Sequence, residues 1–210
     1  NDFIKSINNY LGHLVKSGKY PKLKKNDNPV LTLDTTNWKE FVINNLFNIF
    51  LSKGDLKENE CDSGDIPLIS SGQSDNGIVK YIDKDGDGKA QIFEGNKITL
   101  DMFCNAFYQP NNFYAVSHGR INILEPKFKN MNTKIGLFIT TLLNLEQYKH
   151  SYGRAVYSGV ASKMVIKLPI KYINQNPVIN KDAKFCKEGY IPDWDFIEKY
   201  ISSLPYGNCI

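Results

Sequence analysis

Short apolar segments separated by turn residues fill the middle of the chain, and this pattern restricts the fold more than any other feature. The stretches "DIPLISSG", "GIVKYI" and "NKITLD" each hold one apolar segment, and "FYAVSHGRINIL" alternates apolar and polar residues from Val116 to Leu124. Apolar or alternating runs of about four to eight residues bounded by Gly, Asn, Asp or Ser are typical of strands joined by turns. The pattern therefore predicts a sheet of short strands.

Helical spacing of apolar residues appears at both ends of the chain and once in the interior, in 2–17, 133–149 and 193–204. Residues that favour helix starts stand in front of these segments: Asp2, Asn132 or Thr133, and Asp193. "NWKEFVINNLFNIFLSKG" predicts a strand followed by a helical turn, and "SKMVIKLPI" predicts a final strand. Together these patterns predict an α+β fold, with a twisted, mostly antiparallel sheet and helices packed against it and at both ends.

The chain divides by composition after its first helix. Residues 19–37 are rich in Lys, Asn and Pro and predict a linker. We expect residues 1–37 to be an N-terminal helix and linker that serves as a spacer or docking element, and residues 38–210 to form the main unit. The polar start with Asn, not Met, predicts a fragment or processed piece without a signal peptide. The absence of a long apolar run and the four scattered cysteines favour a cytoplasmic protein with free thiols.

One acidic stretch, "DKDGDGKAQIFE", has the spacing of a helix–loop–helix calcium loop. Its candidate calcium ligands are Asp83, Asp85, Asp87 and Glu94. A calcium loop of this kind needs a helix on each side, whereas the flanks here have strand character and Gly95-Asn96 breaks a helix. We favour a solvated β-hairpin tip, since Asp-Gly pairs suit hairpin turns, and a calcium-binding module remains an alternative.

Charge is distributed unevenly along the chain. The net charge is +4 over residues 1–30, −6 over 31–101, +8 over 102–189 and −2 over 190–210. A strongly basic zone rich in aromatic and amide side chains is typical of a surface that binds a polyanion such as nucleic acid.

Motifs of common enzyme classes are missing from the sequence. It has no GxGxxG or GxxxxGK[ST] phosphate loop, no GxSxG elbow and no HExxH pair. The [DNS]-P-P-[YFW] tetrapeptide of base-modifying N-methyltransferases is also absent. "PDWDFIEK" offers acids and a lysine, but a capped surface helix explains them better than a metal nuclease. We therefore predict no catalytic residue, no metal and no cofactor for this chain.

Three polar stretches carry the chemistry of DNA recognition: "LISSGQSDNGIVKY", "FCNAFYQPNNFYAVSHGR" and "HSYGRAVYSGVASKM". Cations and hydroxyl groups hold phosphates, while amides and guanidinium groups read base edges. One aromatic residue could fill a groove or the gap that a flipped base leaves. The predicted DNA contacts are Ser71, Gln73, Asn76, Tyr108, His118, Arg120, Tyr152, Arg154, Ser158 and Lys163.

The same stretches, read in order, resemble a known family. "IPLISSG" with "NGIVKYID", "NKITLDMFCNAFYQ", "FYAVSHGRINILEPK", "GLFITTLLN" and "YGRAVYSGVASKMVIKLPI" are similar to the target recognition domain of type I restriction–modification specificity subunits and of BcgI-like restriction–methylation systems. "IPDWDFIEKYISSLPYG" resembles the C-terminal tail of the BcgI-like branch. The resemblance covers residues 38–206, nearly the whole chain.

The resemblance implies a sheet-based domain that reads double-stranded DNA and has no catalytic centre of its own. A separate or fused adenine N6-methyltransferase would supply the chemistry with S-adenosylmethionine, and a nuclease would be a further partner. The family's signature stretches fall on Ser71, Gly72, Asn76, Gly77, Thr99, Asp101, Phe103, Ser117, His118, Gly119, Ser158, Leu168 and Pro169. Of these, Asp101, Phe103 and His118 are expected to tie strands and loops together.

The chain also departs from the type I pattern. It has one recognition domain where that pattern has two, and it lacks the Glu-Gln spacer that usually follows the Leu-Pro pair. The departure favours a half-subunit that forms a homodimer, or the C-terminal half of a methyltransferase fusion. A subunit whose basic loops contact a protein instead of DNA remains an alternative.

Overall fold

The computed structural model of the protein describes residues 1–19, 21–27, 29–52, 56, 58–83, 91–116 and 121–210. Its α-helices are α1 (Asp2–Lys16), α2 (Ile43–Leu46), α3 (Thr133–Asn144), α4 (Ser158–Ala161) and α5 (Trp194–Ser203). Its strands are β1 (Lys39–Val42), β2 (Phe47–Leu51), β3 (Ser63–Ile69), β4 (Ile78–Ile82), β5 (Lys97–Leu100), β6 (Ala106–Gln109), β7 (Tyr114–Ala115), β8 (Asn122–Pro126), β9 (Val165–Leu168), β10 (Tyr172–Ile173) and β11 (Asn176–Pro177). Within these described ranges, no helix is long and apolar enough to cross a membrane.

The strands form a mostly antiparallel α+β architecture, as predicted, but they are divided among four sheets. The largest sheet has the strand order β2-β8-β5-β6, and a second has the order β4-β3-β7. Strands β1 and β9 form one two-stranded sheet, and β10 and β11 form another. The pair β3–β7 is parallel, with Leu68 opposite Tyr114 and Ile69 opposite Ala115.

Helix α3 lies at the centre of the main hydrophobic core. Ile135, Phe138 and Ile139 on this helix are fully buried. Phe138 stacks on Phe3 of α1 with ring centroids 4.8 Å apart. Each large apolar side chain that is fully buried contributes about 1.5–3 kcal/mol to folding, so these contacts join α1 and α3 firmly.

Helix α1 is therefore part of the folded core in this structure. Its buried residues are Phe3, Ile7, Tyr10 and Leu11. The Thr141 hydroxyl of α3 donates to the Ser6 hydroxyl oxygen at 2.7 Å. Asn1, and not the expected Asp2, caps the helix, because the Asn1 side chain accepts a hydrogen bond from the Phe3 amide.

Three local predictions were wrong. The stretch "FYAVSHGRINIL" contains two strands, β7 and β8, that belong to different sheets. Residues 106–109 were expected to be a recognition loop and instead form β6, an edge strand of the largest sheet. The segment that begins at Trp38 contains a second strand, β2, after its helical turn.

The acidic stretch after β4 was expected to be a hairpin tip, and this too was wrong. Strand β4 pairs with β3, whereas β5 pairs with β6 and β8 in a different sheet. The segment between β4 and β5 thus connects two sheets. Strands, not helices, flank it, as the sequence predicted.

The buried Asp101 carboxylate holds together two loops that the sequence places far apart. It accepts hydrogen bonds from the Phe103 and Asn105 amides, both at 2.8 Å. The Asn105 side chain donates to it at 2.7 Å and the Gly72 amide at 3.3 Å. Because only 3% of Asp101 is exposed, these donors replace the water that a buried carboxylate would otherwise need.

Substitution of two helix glycines by alanine should change the free energy of unfolding in opposite directions. A Cβ at Gly136 would lie 2.3 Å from Tyr108 Cδ2, whereas a Cβ at Gly12 would meet nothing within 4 Å. Overpacking costs about 1–3 kcal/mol and alanine gains up to about 1 kcal/mol in a helix interior. We expect Gly136→Ala to lower the free energy of unfolding by about 1–2 kcal/mol, and Gly12→Ala to raise it by about 0.5–1 kcal/mol. Urea unfolding followed by circular dichroism measures both; equal effects would contradict the packing.

Removal of the Asp101 carboxylate should destabilise the protein strongly. Asp101→Ala leaves buried amide donors without acceptors, so we expect a loss of about 2–4 kcal/mol in the free energy of unfolding. Asp65→Ala is the matched control, because Asp65 is exposed and such changes stay within about 0.5 kcal/mol. Chemical denaturation of both variants makes the comparison, and similar losses in the two would rule out the bridging role.

Candidate nucleic-acid interface

Three segments from distant parts of the sequence are in contact with one another. They are residues 70–76 after β3, residues 101–105 between β5 and β6, and residues 151–158 before and into α4. We call this region the recognition end. The carboxylate of Asp101 joins the first two segments through its hydrogen bond from the Gly72 amide.

The third segment is attached to the second by backbone and aromatic contacts. The Val156 amide donates to the Met102 carbonyl at 2.9 Å. The ring of Tyr152 lies edge-on to that of Phe103, with centroids 5.0 Å apart. The buried Asn122 side chain also donates to the Val156 carbonyl at 2.9 Å, which fixes the segment to the largest sheet. The three segments are therefore held together, with exposed residues in 70–76 and 151–158 and none in 101–105.

Positive charge on this surface is not neutralised by nearby acids. Arg154, in segment 151–158, and Lys163, which follows α4 outside the three segments, are exposed, and neither forms an ion pair within the described ranges. The acids close by are already paired: Asp75 contacts Lys16 at 2.5 Å and Glu146 contacts Lys149. Asp101 is buried, as described above. The balance suits a ligand with negative charge.

Tyr152 and Gln73 are available to a ligand at the surface. Tyr152 is 82% exposed although its ring edge touches Phe103. Gln73 is exposed and borders a cleft beside α1. Ser71 is partly buried next to it, and Ser158 is partly buried at the start of α4.

Asn76 and Tyr108 lie in the interior, which corrects the prediction that both contact DNA. The Asn76 amide donates to the Tyr108 carbonyl at 2.9 Å and to Gln109 Oε1 at 3.1 Å. The Tyr108 ring is 2% exposed and its hydroxyl donates to Asn96 Oδ1. Burial raises the pKa of the Tyr108 hydroxyl to about 12, so the group stays protonated at neutral pH.

Gln109 is a supporting residue that the sequence reading missed. Its Nε2 donates to the Asn76 carbonyl at 3.0 Å and to Thr99 Oγ1 at 3.1 Å. These bonds hold the end of segment 70–76 against β5 and β6. The sequence shows only an amide side chain at this position, and glutamine is also common in exposed loops. Its burial is set by tertiary packing and is not visible in the sequence.

Two further predicted contacts, His118 and Arg120, lie outside the described residues. The residues on either side of 117–120 are well anchored. The Val116 amide donates to the Ile69 carbonyl at 2.9 Å, directly before segment 70–76. Ser52 donates to the Val116 carbonyl through its hydroxyl at 2.7 Å and to the Ile121 carbonyl through its amide at 3.0 Å.

The calcium alternative gains no support from the structure. Asp85 and Asp87 lie outside the described residues, Asp83 is partly buried and Glu94 is exposed. In the part of the chain that is described, no group of three or more His, Cys, Asp and Glu side chains could hold a metal ion.

Comparison with known proteins identifies several similar chains. A curated relative, the type II restriction enzyme BgcI specificity subunit S.BcgI from Heyndrickxia coagulans, is 23% identical over 208 residues, which cover 94% of this chain and 53% of the relative. This chain therefore spans about half the length of that relative.

Two solved structures resemble the fold more distantly. The S subunit of a type I restriction-modification system from M. genitalium has a TM-score of 0.45 and 18% identity, covering 63% of this chain and 34% of that one. The HsdS subunit from Thermoanaerobacter tengcongensis has a TM-score of 0.43 and 11% identity, covering 79% of this chain and 40% of that one.

A family model supplies the assignment. The model described as the type I restriction modification DNA specificity domain matches residues 35–189, well over half of the 210 residues. The matched range contains all three segments of the recognition end. The chain belongs to the family of type I restriction modification DNA specificity domains.

Proposed function

We propose that the chain binds a specific sequence in double-stranded DNA through its recognition end and presents that DNA to a methyltransferase partner. One observation carries the proposal: hydrogen bonds join three segments, and two of them, 70–76 and 151–158, expose polar side chains that include Arg154, which forms no ion pair within the described residues. A rigid surface loses little conformational entropy when it binds, and rigid geometry is what discrimination between base pairs requires.

Different side chains have different tasks in this proposal. Arg154 and Lys163 neutralise phosphates or, in the case of Arg154, pair with a guanine edge. Gln73 offers an amide that can pair bidentately with adenine. Tyr152 presents an exposed ring that can enter a groove or support the gap left by a base that the partner has flipped out.

The chemical step belongs to the partner in this proposal. The partner is an adenine N6-methyltransferase, separate or fused, which binds S-adenosylmethionine and acts on the DNA that this chain selects. In this proposal the chain supplies no residue that binds the cofactor and no group that reacts. A nuclease can join the same assembly. Since the chain spans about half of the S.BcgI relative, two copies, or this chain and a second recognition half, would complete a specificity unit. Such an assembly acts on DNA in the cytoplasm.

The Arg154→Ala variant tests the surface directly. Loss of a guanidinium that contacts phosphate or base should weaken binding to the selected duplex by about 1–3 kcal/mol, or roughly five- to 150-fold in Kd. The duplex is obtained by selection from a random pool with the wild-type chain, and binding is measured by fluorescence anisotropy at several salt concentrations.

Lys187→Ala is the control for this experiment. Lys187 is also an exposed cation, but it lies between β11 and α5, outside the recognition end. We expect its Kd to stay within about twofold of wild type, since surface changes away from a contact are usually small. Equal losses in both variants would show a general charge effect, and a wild-type chain that selects no sequence would refute the proposed function.

S-adenosylmethionine should bind the assembly and not this chain alone. Titration calorimetry of the isolated chain should give no binding heat, whereas the complex with its methyltransferase should bind the cofactor. The reason is that the proposal places every cofactor contact on the partner. Saturable binding to the isolated chain would assign a cofactor site to it and contradict this division of labour.

A further inference from the structure

One face of α1 carries a polar stripe that borders a cleft. Its residues are Lys5, Asn8, Asn9, Gly12 and Lys16, all exposed on one side of the helix, with Asn8 and Asn9 adjacent and the other steps three or four positions long. In the described structure, the side chains of Lys5, Asn8 and Asn9 have no hydrogen-bond partner. At about 1.5 Å per residue the two lysines are separated by about 16 Å along the axis.

The helix that carries the stripe is held firmly in place. Its opposite face is buried against α3 and α5, where the Asn1 side chain reaches the Tyr200 hydroxyl at 3.3 Å. At its other end, the Lys16 ammonium contacts the Asp75 carboxylate of segment 70–76 at 2.5 Å. This exposed pair contributes only about 0–1 kcal/mol, and the Lys16 ammonium has two further N–H donors that can reach a phosphate while it stays beside Asp75.

A cleft joins the stripe to the recognition end. Two adjoining cavities of about 350 and 320 Å³ run between α1, segment 70–76 and β6. Asn9 and Gln73 border both cavities, and the half-buried Phe107 ring forms part of the floor. The free amides of Asn9 and Gln73 therefore face the same space from two different elements.

Gly12 is a second, independent indication of a ligand. Glycine in a helix interior costs about 0.5–1 kcal/mol relative to alanine. No internal contact explains this cost, since a Cβ at Gly12 would meet nothing within 4 Å. A glycine at this position leaves the helix backbone open to close approach by another molecule.

We propose that α1 is a second DNA-contacting element, and that its stripe extends the recognition end into an adjacent groove of the duplex. This proposal rests on the proposed function and replaces the expectation that residues 1–37 act as a spacer. An α-helix fits the major groove, which is about 12 Å wide, so lysines about 16 Å apart can reach phosphates on its two edges. Asn9 and Gln73 then contact base edges between the two lysines, and Gly12 lets the DNA approach the helix backbone closely.

Double-stranded DNA fits this face better than a protein partner does. The stripe has cations at both ends, amides in the middle and no large apolar side chain, whereas the centres of protein interfaces are enriched in aromatic residues and Met. Asp2 borders the cleft at its far end, and Asp75 is neutralised by Lys16. This order of side chains matches a complex in which the lysines at the two ends contact phosphates and the amides in the middle contact bases.

The test uses the isolated chain, the duplex selected by wild type, and four variants. Gly12→Leu adds bulk to the stripe without a change in charge, and we expect at least a tenfold rise in Kd with thermal stability equal to or above wild type. Lys5→Gln should reduce the slope of log K against log salt by about 0.9. Lys199→Gln is the matched control, an exposed helical lysine on α5, and should leave that slope unchanged.

Asn9→Ala provides the readout of specificity. Selection from a random pool should return a target that is relaxed at one base position, while the other positions stay as in wild type. Wild-type affinity and salt slope in Gly12→Leu and Lys5→Gln would overturn the role of α1 and leave the proposed function intact, provided that Arg154→Ala still loses affinity. A Gly12→Leu variant that binds DNA normally but fails to assemble with the methyltransferase in size-exclusion chromatography would assign the face to that partner and also overturn it.

Discussion

The recognition end depends on a single buried carboxylate. Asp101 is enclosed by donors from its own turn and by the Gly72 amide from the loop after β3. An ionised carboxylate in the protein interior is tolerated only when its hydrogen bonds are nearly complete. Separation of the two loops would remove the Gly72 donor from the carboxylate, and the donors that remain all come from the turn that follows Asp101. The Gly72 contact therefore favours one arrangement of loop segments that contain glycine and little apolar surface.

The buried amides extend this principle across the whole site. Asn76, Gln109 and Asn122 each bond to backbone carbonyls of neighbouring segments. Since the amide of each is consumed inside the protein, none of them is available to read a base. What remains at the surface is a smaller set, in which Gln73 and Arg154 have side chains without an internal partner. An amide that holds the fold together, such as that of Asn76, and an amide that faces solvent, such as that of Gln73, thus occupy the same loop. Only their burial distinguishes them.

This division explains which predictions from sequence succeeded. Helices α3 and α5 and strands β5 and β9 were predicted because their apolar periodicity and caps are local properties of the chain. Asn76 and Tyr108 were misplaced because amides and tyrosines suit a polar surface and a satisfied interior equally well. Their partners, Gln109 and Asn96, are brought close by the pairing of β5 with β6, which no local pattern encodes. For the same reason the break between β7 and β8 was missed, since alternation continues through residues that leave one sheet and enter another.

Helix α1 shows how far such tertiary effects reach. Viewed as sequence, it is a terminal amphipathic helix followed by a Lys-rich segment, which fits a detachable spacer. Its apolar face, however, packs on Phe138 and Tyr200, so that detachment would expose aromatic surface that the core otherwise buries. A helix fixed in this way can present its polar face only in one orientation relative to Gln73. The position of α1 is thus set by the core, while the side chains on its outer face can be substituted without disturbing that core.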